Sequence, residues 1–123
     1  MSTASEYFKN GNKKFKIKDY EGAIADYDQA IKLKSDDAAA YYSQGNSKNY
    51  LGDYKGAIVD YDQAIKLKSD YADAYINRGS SKNSLGDYEG AIADYNQAIK
   101  LKSDYAAAYY NRGNSKNSLG EYK

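Results

Sequence analysis

The chain has 123 residues, a formal net charge of +1, and neither cysteine nor histidine. Without cysteine there is no disulfide, thiolate metal site or cysteine nucleophile, and without histidine the commonest general base near neutral pH is missing. So small a net charge gives no strong attraction to nucleic acid or to an anionic membrane. The N-terminal segment lacks the apolar core of a signal peptide, and no run approaches the ~18 apolar residues of a membrane helix. We therefore expect a cytoplasmic protein that binds neither nucleic acid nor membrane.

One stretch of sequence occurs three times. It reads GAIADYDQAIKLKSD from Gly22, GAIVDYDQAIKLKSD from Gly56 and GAIADYNQAIKLKSD from Gly90. The interval is 34 residues in both steps. Self-similarity at a period of this size is typical of repeat arrays, in which each unit buries its apolar face only against its neighbours.

The repeated stretch predicts a helix, because its apolar residues recur at spacings of three and four. Asp19 precedes the first copy and is its predicted N-cap. Asp36 is the predicted N-cap of the next helix, residues 38–51, and Gly52 follows where a C-terminal helix glycine belongs. In the first copy the apolar stripe consists of Ala23, Ile24, Tyr27, Ala30, Ile31 and Leu33.

Each unit thus pairs a first helix rich in small residues with a second helix rich in Ala, Ile and Tyr. The units are residues 4–37, 38–71 and 72–105, followed by a partial unit, residues 106–123, whose one helix covers the third hairpin. We expect seven helices in a single domain, residues 1–123. Lys18 stands where the later units have Gly52, Gly86 and Gly120. Three further glycines inside the second helices each cost roughly 1 kcal/mol relative to Ala, and we expect close helix approach to compensate; they are Gly22, Gly56 and Gly90.

The units resemble tetratricopeptide (TPR) repeats, which have this period and this arrangement of Tyr, Gly and Ala. At the position of the family's first-helix glycine the chain has Gly11, Gly45, Gly79 and Gly113. At the position of the family's turn aromatic it has Tyr20, Tyr54, Tyr88 and Tyr122. The Ala-x-x-x-aromatic-x-x-Ala pattern of the second helix occurs three times, as Ala23-Tyr27-Ala30, Ala57-Tyr61-Ala64 and Ala91-Tyr95-Ala98. The resemblance implies an all-α, right-handed superhelical solenoid of antiparallel helical hairpins.

The chain departs from this family pattern inside the first helix. Lys14, Lys48, Lys82 and Lys116 replace its second aromatic, and Asn10, Gln44, Arg78 and Arg112 replace the aliphatic residue before its glycine. The family's proline after the second helix is serine here, at Ser35, Ser69 and Ser103. The close similarity of the units is also compatible with a consensus or engineered array.

The residues of this sequence offer little support for a catalytic function. Asp26 with Asp28, and Asp60 with Asp62, are carboxylate pairs at a spacing of two, which places the members of a pair on different faces of a helix. We expect them on a solvated surface, without a metal role. The run GNSKNYLGD lacks the Gly-Lys-Ser/Thr ending of a phosphate-binding loop and lies largely within a predicted helix. We therefore expect no enzyme activity, no metal and no cofactor.

Binding is the better candidate function. In the TPR family the first helices line a concave groove that holds an extended peptide or a partner helix. The equivalent positions here form an apolar column flanked by amides, which can both donate to and accept from a peptide backbone. The apolar column is equally compatible with simple packing between first helices. The predicted ligand-binding residues are Phe8, Asn12, Tyr42, Asn46, Asn49, Ile76, Asn77, Asn83, Tyr110 and Asn114.

Some TPR proteins bind the acidic C-terminus of heat-shock chaperones with a clamp of Lys, Asn and Arg residues. This chain retains the clamp's asparagines but has Phe8 or Tyr42 at the Lys position, while Arg78 and Arg112 lie one residue out of register. We therefore expect no chaperone-tail clamp. The sequence leaves open two other functions: end-to-end self-association as a natural or designed scaffold without a ligand, and, less favoured, stacking of single-stranded nucleic acid on tyrosines.

Overall fold

The computed structural model describes residues 2–120, and Tyr122 of the predicted turn aromatics lies outside that range. Over these residues the chain forms seven α-helices and no strand, which confirms the all-α class and the predicted helix number. No helix within residues 2–120 is both long and apolar enough to cross a lipid bilayer. The helices are α1 (Ala4–Lys16), α2 (Tyr20–Leu33), α3 (Ala38–Tyr50), α4 (Tyr54–Leu67), α5 (Ala72–Ser84), α6 (Tyr88–Leu101) and α7 (Ala106–Leu119).

The helices belong to two compact units. The first unit ends at Ser69 and contains α1 to α4, and the second begins at Asp70 and contains α5 to α7. In the first unit α1 packs on α2, α2 on α3, and α3 on α4. In the second unit α5 packs on α6, and α7 packs on α6 with a smaller contact to α5. Only three residues connect α1 to α2, α3 to α4 and α5 to α6, so each pair is a helical hairpin.

The second helices begin at aspartate N-caps. The Asp19 carboxylate accepts a hydrogen bond of 3.0 Å from the backbone N–H of Gly22, and Asp53 and Asp87 do the same for Gly56 and Gly90. A Cβ at Gly22 would lie 2.2 Å from the Asp19 carboxylate. The expectation that close helix approach explains these glycines is therefore wrong, because the space is taken by the capping carboxylate.

The first helices begin differently. Thr3 and Glu6 form a reciprocal capping box at α1. At α3 the N-cap is Asp37, whose carboxylate accepts from the N–H of Ala39 at 3.1 Å. The prediction of Asp36 as this N-cap is thus wrong by one residue, since the adjacent aspartate has the capping geometry.

The turn after each first helix contains a left-handed residue. Gly52, Gly86 and Gly120 have φ of 83°, 87° and 76°. In the turn of the first hairpin, between α1 and α2, the equivalent residue is Lys18, with φ of 66°. A residue with a Cβ is strained in this region, whereas glycine is not. The glycine pattern of the sequence therefore reflects a backbone requirement that Lys18 meets at some cost.

The centre of each hairpin is a tyrosine of the second helix seated on a glycine of the first. Tyr27 and Tyr61 are fully buried in the first unit, and Tyr95 is buried in the second. A Cβ on the facing glycine would lie 2.6 to 2.7 Å from the ring. The buried alanines surround these rings, among them Ala23, Ala30, Ala57, Ala64, Ala91 and Ala98. Glycine at this position is what allows the ring to approach the first helix.

An ion pair between first and second helices accompanies each buried tyrosine. The ammonium groups of Lys14, Lys48 and Lys82 lie 2.9, 2.9 and 3.1 Å from carboxylate oxygens of Asp26, Asp60 and Asp94, respectively. Asp60 and Asp94 are buried, and Asp26 is largely covered. The prediction of a solvated surface is therefore wrong for Asp26 and Asp60, whereas Asp28 and Asp62 are exposed. The lysine that replaces the family's aromatic is matched by a carboxylate on the facing helix.

Candidate functional site

The predicted apolar column packs against the second helices of its own hairpins in three of its four positions. The Phe8 ring lies 5.8 Å from the Tyr27 ring, and the Tyr42 ring lies 6.0 Å from the Tyr61 ring, both in tilted geometry. Ile76 is 95% buried beside Tyr95 and Ala91. The fourth member, Tyr110, is 71% exposed. Packing against the second helix of the same hairpin thus accounts for much of this column.

Two predicted amides are tied to the core tyrosines. The Tyr27 hydroxyl donates a hydrogen bond of 2.6 Å to the side-chain oxygen of Asn12. The Tyr61 hydroxyl donates one of 2.5 Å to the side-chain oxygen of Asn46. Both asparagines are half-buried. Since an amide has its oxygen and its NH₂ group on opposite branches, these bonds direct the NH₂ group of each asparagine away from the tyrosine.

Burial also changes the acid–base behaviour of the core tyrosines. Removal from water disfavours the phenolate and raises the pKa of Tyr27 and Tyr61, and it raises the pKa of Tyr95 to about 12. Each hydroxyl therefore keeps its proton over the physiological range. In Tyr27 and Tyr61 that proton is the one donated to Asn12 and Asn46.

The remaining predicted amides have varied surroundings. Asn83 accepts a 2.8 Å hydrogen bond from the Ser115 hydroxyl, which joins α5 to α7. Asn49 and Asn77 are half-buried, and Asn114 is exposed. In α1 the position equivalent to Asn83 is Phe15. Its ring packs edge-on against Tyr20 and Tyr50, at 5.3 and 5.6 Å, so α1 forms an aromatic cluster at the position where α5 forms a serine–asparagine hydrogen bond.

Several polar contacts beside these positions were not predicted from the sequence. Gln44 donates to Asp28 at 2.5 Å, and Arg112 donates to Asn96 at 2.9 Å, each joining a first helix to the second helix before it. Arg78 forms a bidentate pair with Asp94, at 2.6 and 3.0 Å. A signal for the Lys–Asp pairs was present in the sequence. A lysine in each first helix is followed twelve residues later by an aspartate at 14/26, 48/60 and 82/94.

Ion pairs inside the fold thus engage Lys48, Arg78 and Lys82 of the first helices. Lys48 and Lys82 are about a quarter exposed, and Arg78 less so. The described residues contain no group of three or more aspartate or glutamate side chains placed to hold a metal ion. A neutral face of amides and aromatic rings is suited to hydrogen bonding and apolar contact with another polypeptide.

Repeated helical hairpins in which a buried tyrosine of the second helix packs on a glycine of the first define a helical-repeat interaction module. A family model described as TPR repeat matches residues 11–47, 45–82 and 79–120, and the chain belongs to this family. TPR domains are non-catalytic modules for protein–protein interaction. The comparison with curated protein sequences finds no match.

Solved structures with the same fold include TPR domains in complex with peptides. The first TPR of Spaghetti (RPAP3) bound to the HSP90 peptide SRMEEVD is 24% identical, with 96% of this chain and 94% of that chain covered and a TM-score of 0.94. The second TPR domain of human RPAP3 in complex with the HSP70 peptide SGPTIEEVD is 26% identical, with 92% and 94% covered and a TM-score of 0.89. MamA is 28% identical, with 95% and 68% covered and a TM-score of 0.93.

Proposed function

We propose that this protein binds an uncharged segment of a partner protein along the first helices within a compact unit, through asparagine amides fixed by the core. The observation that carries the proposal is the pair of hydrogen bonds from Tyr27 to Asn12 and from Tyr61 to Asn46. A donor whose orientation is already set costs less entropy to engage than a freely rotating side chain. An extended peptide has both backbone carbonyls and backbone N–H groups, and an amide side chain can pair with either, since its NH₂ group has two donors and its oxygen has two acceptor sites.

Apolar contacts would come from the tyrosines beside the amides. Tyr42 is half-buried and Tyr110 is 71% exposed, so both retain surface for a partner. Tyrosine provides a large contact area with few rotatable bonds. We predict that four further amides contact the partner. They are Asn49 in the first compact unit and Asn77, Asn83 and Asn114 in the second. Within this proposal, Phe8 and Ile76 chiefly support the neighbouring tyrosines.

The proposal is tested by selecting binders from a random peptide library and measuring their affinity for variants by fluorescence anisotropy. Tyr61→Phe removes the hydroxyl that orients Asn46 but keeps the ring that fills the hairpin. We expect it to weaken binding about tenfold, while circular dichroism shows retained helicity. Asn46→Ala should weaken binding similarly, and the two changes together should cost little more than either alone, because they act on one contact.

The matched control is Val59→Thr, which alters a second-helix side chain that is 65% exposed. It should leave peptide affinity unchanged. If Tyr61→Phe and Asn46→Ala both leave affinity unchanged for every selected peptide, the first-helix amides are not the binding site.

The acidic chaperone tails bound by the RPAP3 domains are not the expected ligands here. Two first-helix cations that are close in sequence to these amides are engaged, Lys48 with Asp60 and Arg78 with Asp94. A peptide carboxylate would have to compete with these short intramolecular pairs. We expect no saturable binding of SRMEEVD or SGPTIEEVD in the same assay. Tight binding of either peptide would overturn this exclusion.

A further inference from the structure

Each first helix of the first unit has an aromatic ring and an amide one helical turn apart. Phe8 precedes Asn12 by four residues in α1, and Tyr42 precedes Asn46 by four residues in α3. Side chains at this spacing are neighbours on the same side of a helix. The two helices thus present the same arrangement, here called the ring–amide pair.

The exposure of the ring–amide pair of α3 does not arise at an end of the chain. The hairpin of α3 and α4 has a complete hairpin before it and another after it in the sequence. Tyr42 and Asn46 nevertheless remain half-buried, as Phe8 and Asn12 do in α1. The residue of α5 that corresponds to Asn46 is Ser80, so consecutive ring–amide pairs occur only in the first unit.

Hydrogen bonds to the core set the orientation of both amides. The hydroxyls of Tyr27 and Tyr61 donate to the side-chain oxygens of Asn12 and Asn46 at 2.6 and 2.5 Å. The NH₂ groups, which have two N–H donors each and no acceptor, are directed away from the buried rings. A ligand that meets both amides therefore has to accept hydrogen bonds at two points, one on each helix.

The spacing of α1 and α3 discriminates between the regular conformations of a peptide. The two helices are in contact, with the Phe15 ring 5.6 Å from the Tyr50 ring, and helices in contact have axes about 8–10 Å apart. A polyproline II helix has three residues per turn and a pitch of about 9.3 Å, so carbonyls three residues apart point the same way at this spacing. Carbonyls on one side of a β-strand recur at about 6.7 Å. Those of an α-helix are already bonded within the helix.

We propose that the first unit binds a proline-rich segment of a partner protein in the polyproline II conformation, with one turn on α1 and the next on α3. In each turn one carbonyl would accept from Asn12 or Asn46, and one pyrrolidine ring would lie on the exposed part of Phe8 or Tyr42. Proline has no backbone N–H, so it leaves no donor unpaired against these rings. Its conformation is preformed, which lowers the entropic cost of binding. The inference rests on the proposed function and narrows the class of its ligand.

The probe is a fluorescein-labelled oligoproline of about nine residues, which forms three turns of polyproline II helix. Binding to the full chain is followed by anisotropy and by the side-chain amide signals in nuclear magnetic resonance spectra. We expect saturable binding below about 1 mM, with the largest shifts at the NH₂ groups of Asn12 and Asn46. A flexible Gly-Ser peptide of the same length has as many carbonyls and should bind at least about tenfold more weakly.

Serine is the test substitution, because α5 has Ser80 at this position and the facing Tyr95 is buried all the same. Asn12→Ser and Asn46→Ser should each weaken oligoproline binding about tenfold, and the double variant about a hundredfold, since they remove separate contacts. Gln29→Ser, at an exposed amide of α2, is the matched control and should leave affinity unchanged. Circular dichroism should show the same helicity in every variant.

A single D-proline in the middle of the oligoproline tests the conformation of the ligand. It keeps the rings and the carbonyls but interrupts the helix, so carbonyls on either side of it no longer point the same way. We expect affinity to fall about tenfold or more. Equal affinity of the D-proline peptide or of the Gly-Ser peptide would overturn the proposal, because binding would then not depend on the polyproline II conformation.

The remaining outcomes separate this proposal from the proposed function. If library peptides bind in a manner that depends on Asn46 while oligoproline does not bind, the ligand class is wrong and the amide site stands. If oligoproline binds equally well to Asn12→Ser, Asn46→Ser and the unchanged protein, it enters elsewhere and this proposal is overturned. If no peptide of any kind depends on these amides, both proposals fail.

Discussion

The ring of Tyr61 occupies the space that a side chain at position 45 would need, and Gly45 leaves that space empty. A Cβ on Gly45 would be 2.7 Å from Cε1 of the ring, and the ring itself is fully buried. Its hydroxyl is bonded to Asn46, one residue further along α3. The ring is therefore fixed at both its edge and its tip, and it cannot move aside easily for a larger residue at position 45.

We expect Gly45→Ala to destabilise the protein by about 1–3 kcal/mol, the usual cost of overpacking a filled core. Gly113→Ala is the matched comparison, since within residues 2–120 no atom lies within 4 Å of a Cβ at this equivalent position of α7. That variant should stabilise the protein by up to about 1 kcal/mol through helix propensity alone. Urea denaturation measures both. Equal effects of the two variants would contradict the seating of Tyr61 on Gly45.

Lys18 is expected to be a point of backbone strain. It has φ of 66°, in the region where Gly52, Gly86 and Gly120 occur in the other turns. Lys18→Gly should raise stability by roughly 1 kcal/mol, because the left-handed conformation costs a residue with a Cβ about that much. The thermal unfolding midpoint should rise accordingly. The converse change, Gly86→Ala, should lower it; a fall in Lys18→Gly would show that the lysine side chain contributes more than the strain costs.

The ion pair of Lys48 with the buried Asp60 should be costly to break from one side. Lys48→Met leaves a buried carboxylate without its cation, and we expect a loss of about 3 kcal/mol in unfolding free energy. Adding Asp60→Leu should recover most of that loss, since replacement of both members of a buried pair is often neutral. Chemical denaturation of both single variants and the double variant completes the cycle. Additive effects would show that the 2.9 Å contact carries no coupling energy.

Stability should fall at alkaline pH because of the buried tyrosines. Burial raises the pKa of Tyr95 from near 10 to about 12, so between these values the folded chain keeps a proton that the unfolded chain loses. The unfolded state then binds fewer protons, and stability decreases as pH rises, by up to ~1.4 kcal/mol per pH unit for each such group. Tyr95→Phe should reduce this slope between pH 10 and 12.

Denaturation curves at several pH values give the slope directly. Tyr110→Phe, which alters an exposed ring, is the control and should retain the slope of the unchanged protein. A Tyr95→Phe variant with the same alkaline slope would show that its hydroxyl does not titrate differently in the folded and unfolded states.

Much of the fold was predictable because the repeat constrains it. The 34-residue interval, the helical spacing of Ala23, Tyr27 and Ala30, and the aspartate before each second helix give the seven helices and the caps at Asp19 and Asp53. The N-cap of α3 was predicted at Asp36 instead of Asp37, because two adjacent aspartates have equal capping propensity. Only the backbone path, which tertiary packing sets, decides between them.

The candidate site was less predictable, because residue type alone does not determine the hydrogen-bond partners of an amide side chain. Asn12 and Asn46 are named by the family pattern, but their bonds to Tyr27 and Tyr61 depend on contact across the hairpin. Asp60 was expected in solvent because carboxylates usually are. The Lys48 partner that makes its burial tolerable lies twelve residues earlier, on another helix.

The repeat, the helices and the family follow from the sequence, because hydrophobic spacing and turn chemistry are local properties of the chain. The role of each polar residue follows from the folded structure, because its neighbours in space make a side chain a helix cap, a member of a buried ion pair or an exposed group. Gly45 and Gly113 are the clearest case. They are the same residue in nearly the same sequence, yet the space beside Gly45 is filled by a tyrosine ring, whereas no atom of the described residues 2–120 lies within 4 Å of a Cβ at Gly113.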